Sequence, residues 1–170
     1  MEQWPQVQFA WVDPYHFKIR LGWPGFTSSC LSSVGLDDQR PLTKRGLRHA
    51  ERMANWLDRR LPETARVISS PARRCTQTAD LLPRHYKIRD ELAVQTSVID
   101  VLTALRWPTL QRSTLLIGHQ PWIGELVANL LGSPKCDIHV SRGSVIWLRS
   151  KTRDGVTETH ILTVQNPRFL

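Results

Sequence analysis

Residues 114–126 read TLLIGHQPWIGEL, and this stretch gives the clearest signal of the fold. Thr114–Ile117 is a short apolar run typical of a buried strand. Gln120-Pro121 then opens a helix that we predict to run to Leu131, because proline is favoured in the first helical turn. A buried strand that passes directly into a helix is typical of α/β proteins.

The stretch from Arg66 to Leu82 has the same design. Arg66–Ser69 is predicted to be a strand, and Ser70-Pro71 to open a helix that runs to Leu82, with Ser70 as its N-cap. If both strands are parallel, both helix N-termini lie at one edge of the sheet. Ligands of open α/β sheets bind at that edge.

The remaining elements alternate in the same way, which predicts an α/β fold with three layers (αβα) and a mostly parallel sheet with helices on both faces. Two closing strands joined by a turn at Asp154-Gly155 predict mixed strand directions near one edge. The other predicted strands are Val7–Val12, Ala93–Thr96, Val145–Arg149 and His160–Val164, and the other predicted helices are Ser97–Arg106 and one capped by Thr43 with apolar positions Leu47, Ala50, Met53, Ala54 and Leu57.

Length and composition suggest one domain over residues 1–170, with an unusually long loop at residues 13–39. The 23 Lys and Arg against 15 Asp and Glu give a net charge of +8, which favours acidic partners such as phosphoproteins or phosphate esters. Because the basic residues are scattered along the chain, we interpret them as a solvated surface and expect no nucleic-acid partner.

The cysteines and the hydropathy narrow the class of protein further. Cys30, Cys75 and Cys136 show no CxxC spacing, so we expect no metal site and no disulfide framework. No apolar run has the length of a membrane span, and the first residues do not resemble a signal peptide. We therefore expect a cytoplasmic monomer without a membrane partner.

Two side chains are candidates for phosphate chemistry at the predicted sheet edge. The Arg74 guanidinium could hold two oxygens of a phosphoryl group, and His119 follows the strand of the second joint. Taken alone, such an arginine is usually a solvated surface residue, and such a histidine is usually structural. The two gain weight together because both joints meet at one edge.

Four segments resemble the SixA-type phosphohistidine phosphatases of the histidine phosphatase superfamily. They are Arg40-Pro41-Leu42-Thr43 with Gly46, Ser70–Ala79 (SPARRCTQTA), Leu115–Leu126 (LLIGHQPWIGEL) and Ile161–Leu170 (ILTVQNPRFL). The resemblance implies a phosphoglycerate-mutase-like fold. It also implies hydrolysis, without a metal or cofactor, of phosphohistidine on a signalling or phosphotransfer protein, or of a small phosphate ester. By the same resemblance, Arg74 binds the phosphate, His119 stabilises the transferring phosphoryl group, and Arg40 lies at the rim of the pocket.

The first strand departs from the family pattern. It should end in Arg-His, with the histidine attacking phosphorus, but Val12 and Asp13 occupy those places. Val12 removes a cation, and an ionised Asp13 would repel a phosphoryl charge by about 4 kcal/mol at about 4 Å. We therefore predict weakened phosphate binding and slow turnover.

Three explanations of the altered motif stay open at this point. His16 could supply the imidazole. Asp13 could itself accept the phosphoryl group, although such enzymes require Mg²⁺ and further carboxylates. An error in the sequence upstream of about residue 36 would explain both the lost motif and the long loop.

Competing chemistries find less support. Cys136–Arg142 satisfies the C-x5-R signature of cysteine-dependent phosphatases, but a predicted strand follows it instead of a helix, so we interpret it as a connecting loop. No G-x-S-x-G motif supports a Ser-His-Asp hydrolase. Two hypotheses remain, a phosphohistidine phosphatase and a non-hydrolysing relative that binds a phosphoryl group or a partner protein.

Overall fold

The computed structural model describes residues 38–109 and 112–170, together with the backbone of residues 6–12. Asp13, His16 and residues 13–37 of the predicted long loop lie outside the described residues. The predictions made for them therefore stay predictions.

The described strands form one mixed sheet with the order β3-β2-β4-β1-β5-β6. β1, β2, β3 and β4 are mutually parallel, whereas β5 runs antiparallel to both β1 and β6. The predicted change of strand direction near one edge is thus confirmed. The strands are β1 (Gln6–Val12), β2 (Arg66–Ser69), β3 (Tyr86–Ile88), β4 (Thr114–Gly118), β5 (Val145–Arg153) and β6 (Val156–Gln165).

Helices cover both faces of this sheet, and alternate residues of β4 show how. Leu115 and Ile117 belong to a core shared with the first two helices, whereas Leu116 belongs to a core shared with the last two. The predicted three-layer αβα architecture is therefore confirmed. The helices are α1 (Lys44–Asp58), α2 (Arg73–Ala79), α3 (Val98–Leu105) and α4 (Trp122–Leu130), and 3₁₀ turns occupy Asp90–Leu92 and Pro167–Phe169.

The first helix begins as predicted, because the Thr43 side chain accepts a hydrogen bond of 3.1 Å from the backbone N–H of Gly46. Its buried stripe differs at one position. Gly46 is buried, whereas the predicted core residue Leu47 is 40% exposed. Leu47 is the residue after Gly46, and one residue turns an α-helix by about 100°, so the Leu47 side chain faces solvent.

The predicted strand at Ala93–Thr96 is wrong. That segment is made of tight turns, in which the N–H of Ala93 bonds to the carbonyl of Asp90 and the N–H of Thr96 to that of Ala93. The strand of this region is β3, which pairs with β2 alone at the edge of the sheet. Periodicity misses β3 because it is three residues long and two of them, Lys87 and Ile88, are exposed.

None of the described helices is long and apolar enough to cross a membrane.

Candidate active site

The site lies where three parallel strands end at the same level. Ser69 of β2 pairs with Ile117 of β4, and Val12 of β1 pairs with Gly118 of β4. The next residue after β4 is His119, which therefore emerges at the carboxyl edge of the sheet. This is the edge at which α/β sheets bind ligands.

His119 is held by two side chains from the β2–α2 segment. Its Nε2 lies 2.7 Å from the Ser70 hydroxyl oxygen, and its Nδ1 lies 3.2 Å from Nη2 of Arg74. His119 and Arg74 are only 2% and 3% exposed. The structure thus brings together the two residues that the sequence placed in a phosphate site.

These contacts fix the tautomer of the imidazole. A guanidinium can only donate hydrogen bonds, so the Nδ1 that faces Arg74 must act as the acceptor. The proton of the neutral ring is then on Nε2, which donates to the Ser70 hydroxyl oxygen. His119 is consequently held in one orientation and one tautomer by groups on both sides of its ring.

Ser70 has a different role from the one predicted. The helix α2 begins at Arg73 rather than at Pro71, it ends at Ala79 rather than at Leu82, and its N-cap is Ala72, without a side-chain cap. The Ser70 hydroxyl bonds to His119 and also accepts a bond of 3.3 Å from the N–H of Ala72. The sequence-based prediction therefore missed Ser70 as a site residue. Its position directly after the predicted strand Arg66–Ser69, at the same joint as Arg74, is the only sequence signal that pointed to it.

Cys75 is a further neighbour that the sequence did not predict. Its sulfur lies 3.6 Å from Nε2 and 3.9 Å from Nδ1 of His119, and the residue is fully buried. Consecutive positions on α2 thus place a guanidinium and a thiol against the same imidazole. Cys75 therefore packs against the imidazole ring from the side of α2.

The residues on either side of His119 in the GHQPW sequence, Gly118 and Gln120, have structural roles. A Cβ at Gly118 would lie 2.0 Å from the Trp122 ring, so only glycine lets this buried ring cross the end of β4. The Gln120 side chain accepts from the N–H of Gly124 at 3.3 Å and donates to the carbonyl of Val140 at 3.5 Å. These contacts anchor the start of α4 and, with it, the backbone that carries His119.

Arg40 belongs to a segment that is fastened to the site helix. The backbone N–H of Leu42, two residues further on, donates to the Gln77 side chain at 2.8 Å. Gln77 lies one turn after Arg74 on α2, so the Arg40–Thr43 segment borders the site. The phosphate-binding role of the half-buried Arg40 stays a prediction.

The segment Cys136–Arg142 is a connecting loop, as predicted. Cys136 is exposed, Val140 is buried in the core, and the chain continues into β5 rather than into a helix. A phosphate loop of the cysteine-dependent type requires a helix N-terminus at this place. The described residues also contain no group of His, Cys, Asp and Glu that could hold a metal ion.

Replacing Ser70 by alanine is expected to destabilise the protein and to leave the tautomer of His119 unchanged, because Arg74 still donates to Nδ1. The variant leaves the buried Nε2–H without its acceptor, which costs about 1–3 kcal/mol of unfolding free energy. Thermal unfolding would report the lost stability, and histidine ¹⁵N chemical shifts should still place the proton on Nε2.

Ser69→Ala is the matched control, because Ser69 is equally buried but its hydroxyl donates to the backbone carbonyl of Ser70 rather than contacting His119. It should lose less stability than Ser70→Ala, because both nitrogens of His119 keep their partners. A proton on Nδ1 of His119 in the wild-type protein would contradict the assignment of the proton to Nε2.

Comparisons with known proteins agree with this geometry. The sequence model of the histidine phosphatase superfamily, branch 1, matches residues 34–97. The phosphohistidine phosphatase SixA of Escherichia coli K12 is 36% identical over 102 residues, which are 55% of this chain and 63% of that protein, less than two thirds of its length.

Solved structures share the fold. A putative SixA from Nakamurella multipartitia is 22% identical with a TM-score of 0.69, and covers 96% of both chains. A protein histidine phosphatase SixA complexed with tungstate is 24% identical with a TM-score of 0.70, covering 96% of this chain and 99% of its own.

The chain is similar to the histidine phosphatase superfamily over the matched residues, and its α/β fold is phosphoglycerate-mutase-like. The similar proteins include SixA-type phosphohistidine phosphatases. The alignment of Val12 and Asp13 with the Arg-His sequence of that type stays a prediction.

Proposed function

We propose that this protein is a phosphohistidine phosphatase of the SixA type that acts in the cytoplasm on a signalling or phosphotransfer protein. In the reaction, water adds to phosphorus, the phosphorus–nitrogen bond breaks, and inorganic phosphate and histidine are released. The observation that carries the proposal is the buried contact of Arg74 and Ser70 with opposite nitrogens of His119.

Arg74 is the phosphate-binding group of this proposal. Its guanidinium is always charged and can donate two parallel hydrogen bonds to a pair of phosphoryl oxygens. Burial strengthens these charge-assisted bonds, because little water competes for them. A bound phosphoryl group competes with His119 Nδ1 for the same guanidinium.

His119 responds to that competition. When Arg74 turns towards the phosphoryl oxygens, Nδ1 of His119 loses its hydrogen-bond donor and the ring is left facing the phosphoryl group. By the family resemblance, the role of His119 at this place is to stabilise negative charge on the transferring phosphoryl group. Ser70 holds the opposite nitrogen throughout, so the ring does not have to reorient.

The relatives support the choice of substrate class. The E. coli relative is named for phosphohistidine, and one structural neighbour was solved with tungstate, which is a tetrahedral oxyanion like phosphate. In this chain the positions that would receive such an anion are Arg74 and His119, with Arg40 at the rim. The proposal requires no metal and no cofactor.

A second candidate function follows from the end of β1. Val12, the last residue of β1, pairs with Gly118. The next residue in the sequence is Asp13, and by the resemblance this is the position of the family's nucleophilic histidine. A carboxylate repels the incoming phosphoryl group and replaces the attacking imidazole. The second candidate is therefore a relative that binds a phosphoryl group or a partner protein without hydrolysing it.

The test is phosphate release from a phosphohistidine peptide and from an aryl phosphate, with His119→Ala measured beside the wild-type protein. Turnover that disappears in His119→Ala supports the phosphatase, and His16 becomes the first residue to test as its nucleophile. A folded protein without turnover that still binds tungstate through Arg74 supports the second candidate. A protein with neither property contradicts both.

A further inference from the structure

The outward side of α1 carries a basic stripe, which we define as Arg45, Arg48 and Arg52. Their spacing of three and four residues puts them on one side of the helix, and all three are exposed. Lys44 precedes Arg48 by one turn and is exposed as well. The ion pairs within the described residues join Arg84 to Asp58 and Arg89 to Glu91, so none of them neutralises the stripe.

The last turn of the chain adds a fourth guanidinium. The 3₁₀ turn Pro167–Phe169 packs against α1, and Arg168 lies close enough to influence His49. Burial lowers the pKa of His49, and the charges of Arg45, Arg168, Arg52 and Arg48 lower it further. The tertiary structure thus gathers charges that are far apart in the sequence around one imidazole.

This arrangement opposes the stability of the helix. Arg45 stands in the first turn of α1, where the helix dipole disfavours cations, and that turn contains no acidic residue. Arg45 with Arg48, and Arg48 with Arg52, are like-charge pairs at destabilising spacings. The basic stripe does not add to the stability of α1, so its concentration of positive charge points to a binding role.

The basic stripe is close to the candidate site along the chain and in space. Helix α1 begins directly after the segment Arg40–Thr43, which contains the predicted rim residue Arg40. The Leu42 N–H in that segment is bonded to Gln77 of α2, the helix that carries Arg74. A protein that delivers a phosphorylated side chain to Arg74 would therefore pass the beginning of the stripe.

We propose that the basic stripe of α1 is the docking surface for an acidic protein segment that carries the phosphohistidine. The inference rests on the proposed function, because it names a property of the substrate at the same site. It also differs from the sequence-based interpretation of the basic residues as a solvated surface.

A nucleic acid fits the surroundings of the stripe less well. Binding of single strands uses exposed aromatic rings on which bases stack. The nearby ring of Trp56 is instead covered by Arg60, at 4.6 Å from the ring centroid, and packs edge-on against Trp147 at 6.2 Å. An acidic polypeptide needs only charge complementarity with the arginines.

The experiment uses two peptides of equal length that contain a non-hydrolysable phosphohistidine analogue. One has Asp and Glu around the analogue, and the other has Asn and Gln at the same places. The whole protein is expected to bind the acidic peptide about tenfold more tightly by fluorescence anisotropy, because exposed ion pairs each contribute little. The preference should shrink as the salt concentration rises from about 0.05 to 0.2 M.

The triple variant Arg45→Gln, Arg48→Gln, Arg52→Gln should bind both peptides equally and should unfold at no lower temperature than the wild type. The matched control is Lys151→Gln with Arg153→Gln, which removes exposed positive charge from the β5–β6 hairpin and should keep the preference. Equal binding of the two peptides by the wild-type protein, or an unchanged preference in the triple variant, would overturn the docking surface.

Two further measurements separate this inference from the proposed function. Arg74→Ala should weaken the binding of both peptides alike, since it acts on the phosphoryl group. If the wild-type protein binds neither peptide, the proposed function fails and the docking surface fails with it. If a DNA duplex binds more tightly than the acidic peptide and depends on the same three arginines, the stripe serves nucleic acid and the inference is wrong.

Discussion

Arg74→Ala is expected to weaken the binding of tungstate or inorganic phosphate and to lower the turnover of an aryl phosphate by about 10²–10³-fold. The variant removes the buried cation with its hydrogen-bond donors and leaves the strand edges in place. It also releases His119 Nδ1 from its contact at 3.2 Å. Calorimetry with tungstate measures the binding, and phosphate release measures the turnover.

Arg73→Ala provides the matched control. Arg73 is the preceding residue of the same helix and is exposed, whereas Arg74 is buried. The Arg73 variant should behave like the wild-type protein in both measurements. Arg74→Lys should recover part of the binding, because it keeps the charge but loses the planar fork. If Arg74→Ala binds tungstate as well as Arg73→Ala does, the phosphate site has been assigned to the wrong arginine.

The double change Val12→Arg with Asp13→His is expected to raise turnover by at least about 100-fold. It restores the family's Arg-His sequence at the end of β1, supplies an imidazole to attack phosphorus and removes a carboxylate. The backbone register supports this alignment, since Val12 pairs with the glycine that precedes His119. The initial rate of phosphate release from an aryl phosphate is the measurement.

Single changes show which part of the double change is responsible. Asp13→Asn removes the charge without supplying a nucleophile, so it should strengthen tungstate binding and leave turnover near the wild-type level. His16→Ala tests the nearby imidazole and should abolish any activity that depends on it. No gain of turnover in a folded double variant would contradict the alignment of Asp13 with the nucleophile position.

The order of strands and helices could largely be predicted from the sequence, because periodic patterns and turn residues are local signals. The strand Arg66–Ser69 has the predicted bounds, and Thr43 caps its helix as expected. The errors lie where local signals are weak. The edge strand Tyr86–Ile88 is held by pairing with one neighbour, and this pairing is not visible in three residues of sequence.

The sequence by itself determined the fold class and the pairing of Arg74 with His119 at one sheet edge, because two strand–helix joints of the same design can only meet there. The tertiary structure decided what surrounds His119. Ser70 turns its hydroxyl to the ring instead of capping α2, and Cys75 packs against it. These contacts join residues more than 40 positions apart, and they depend on strand register and helix position, which no local pattern encodes.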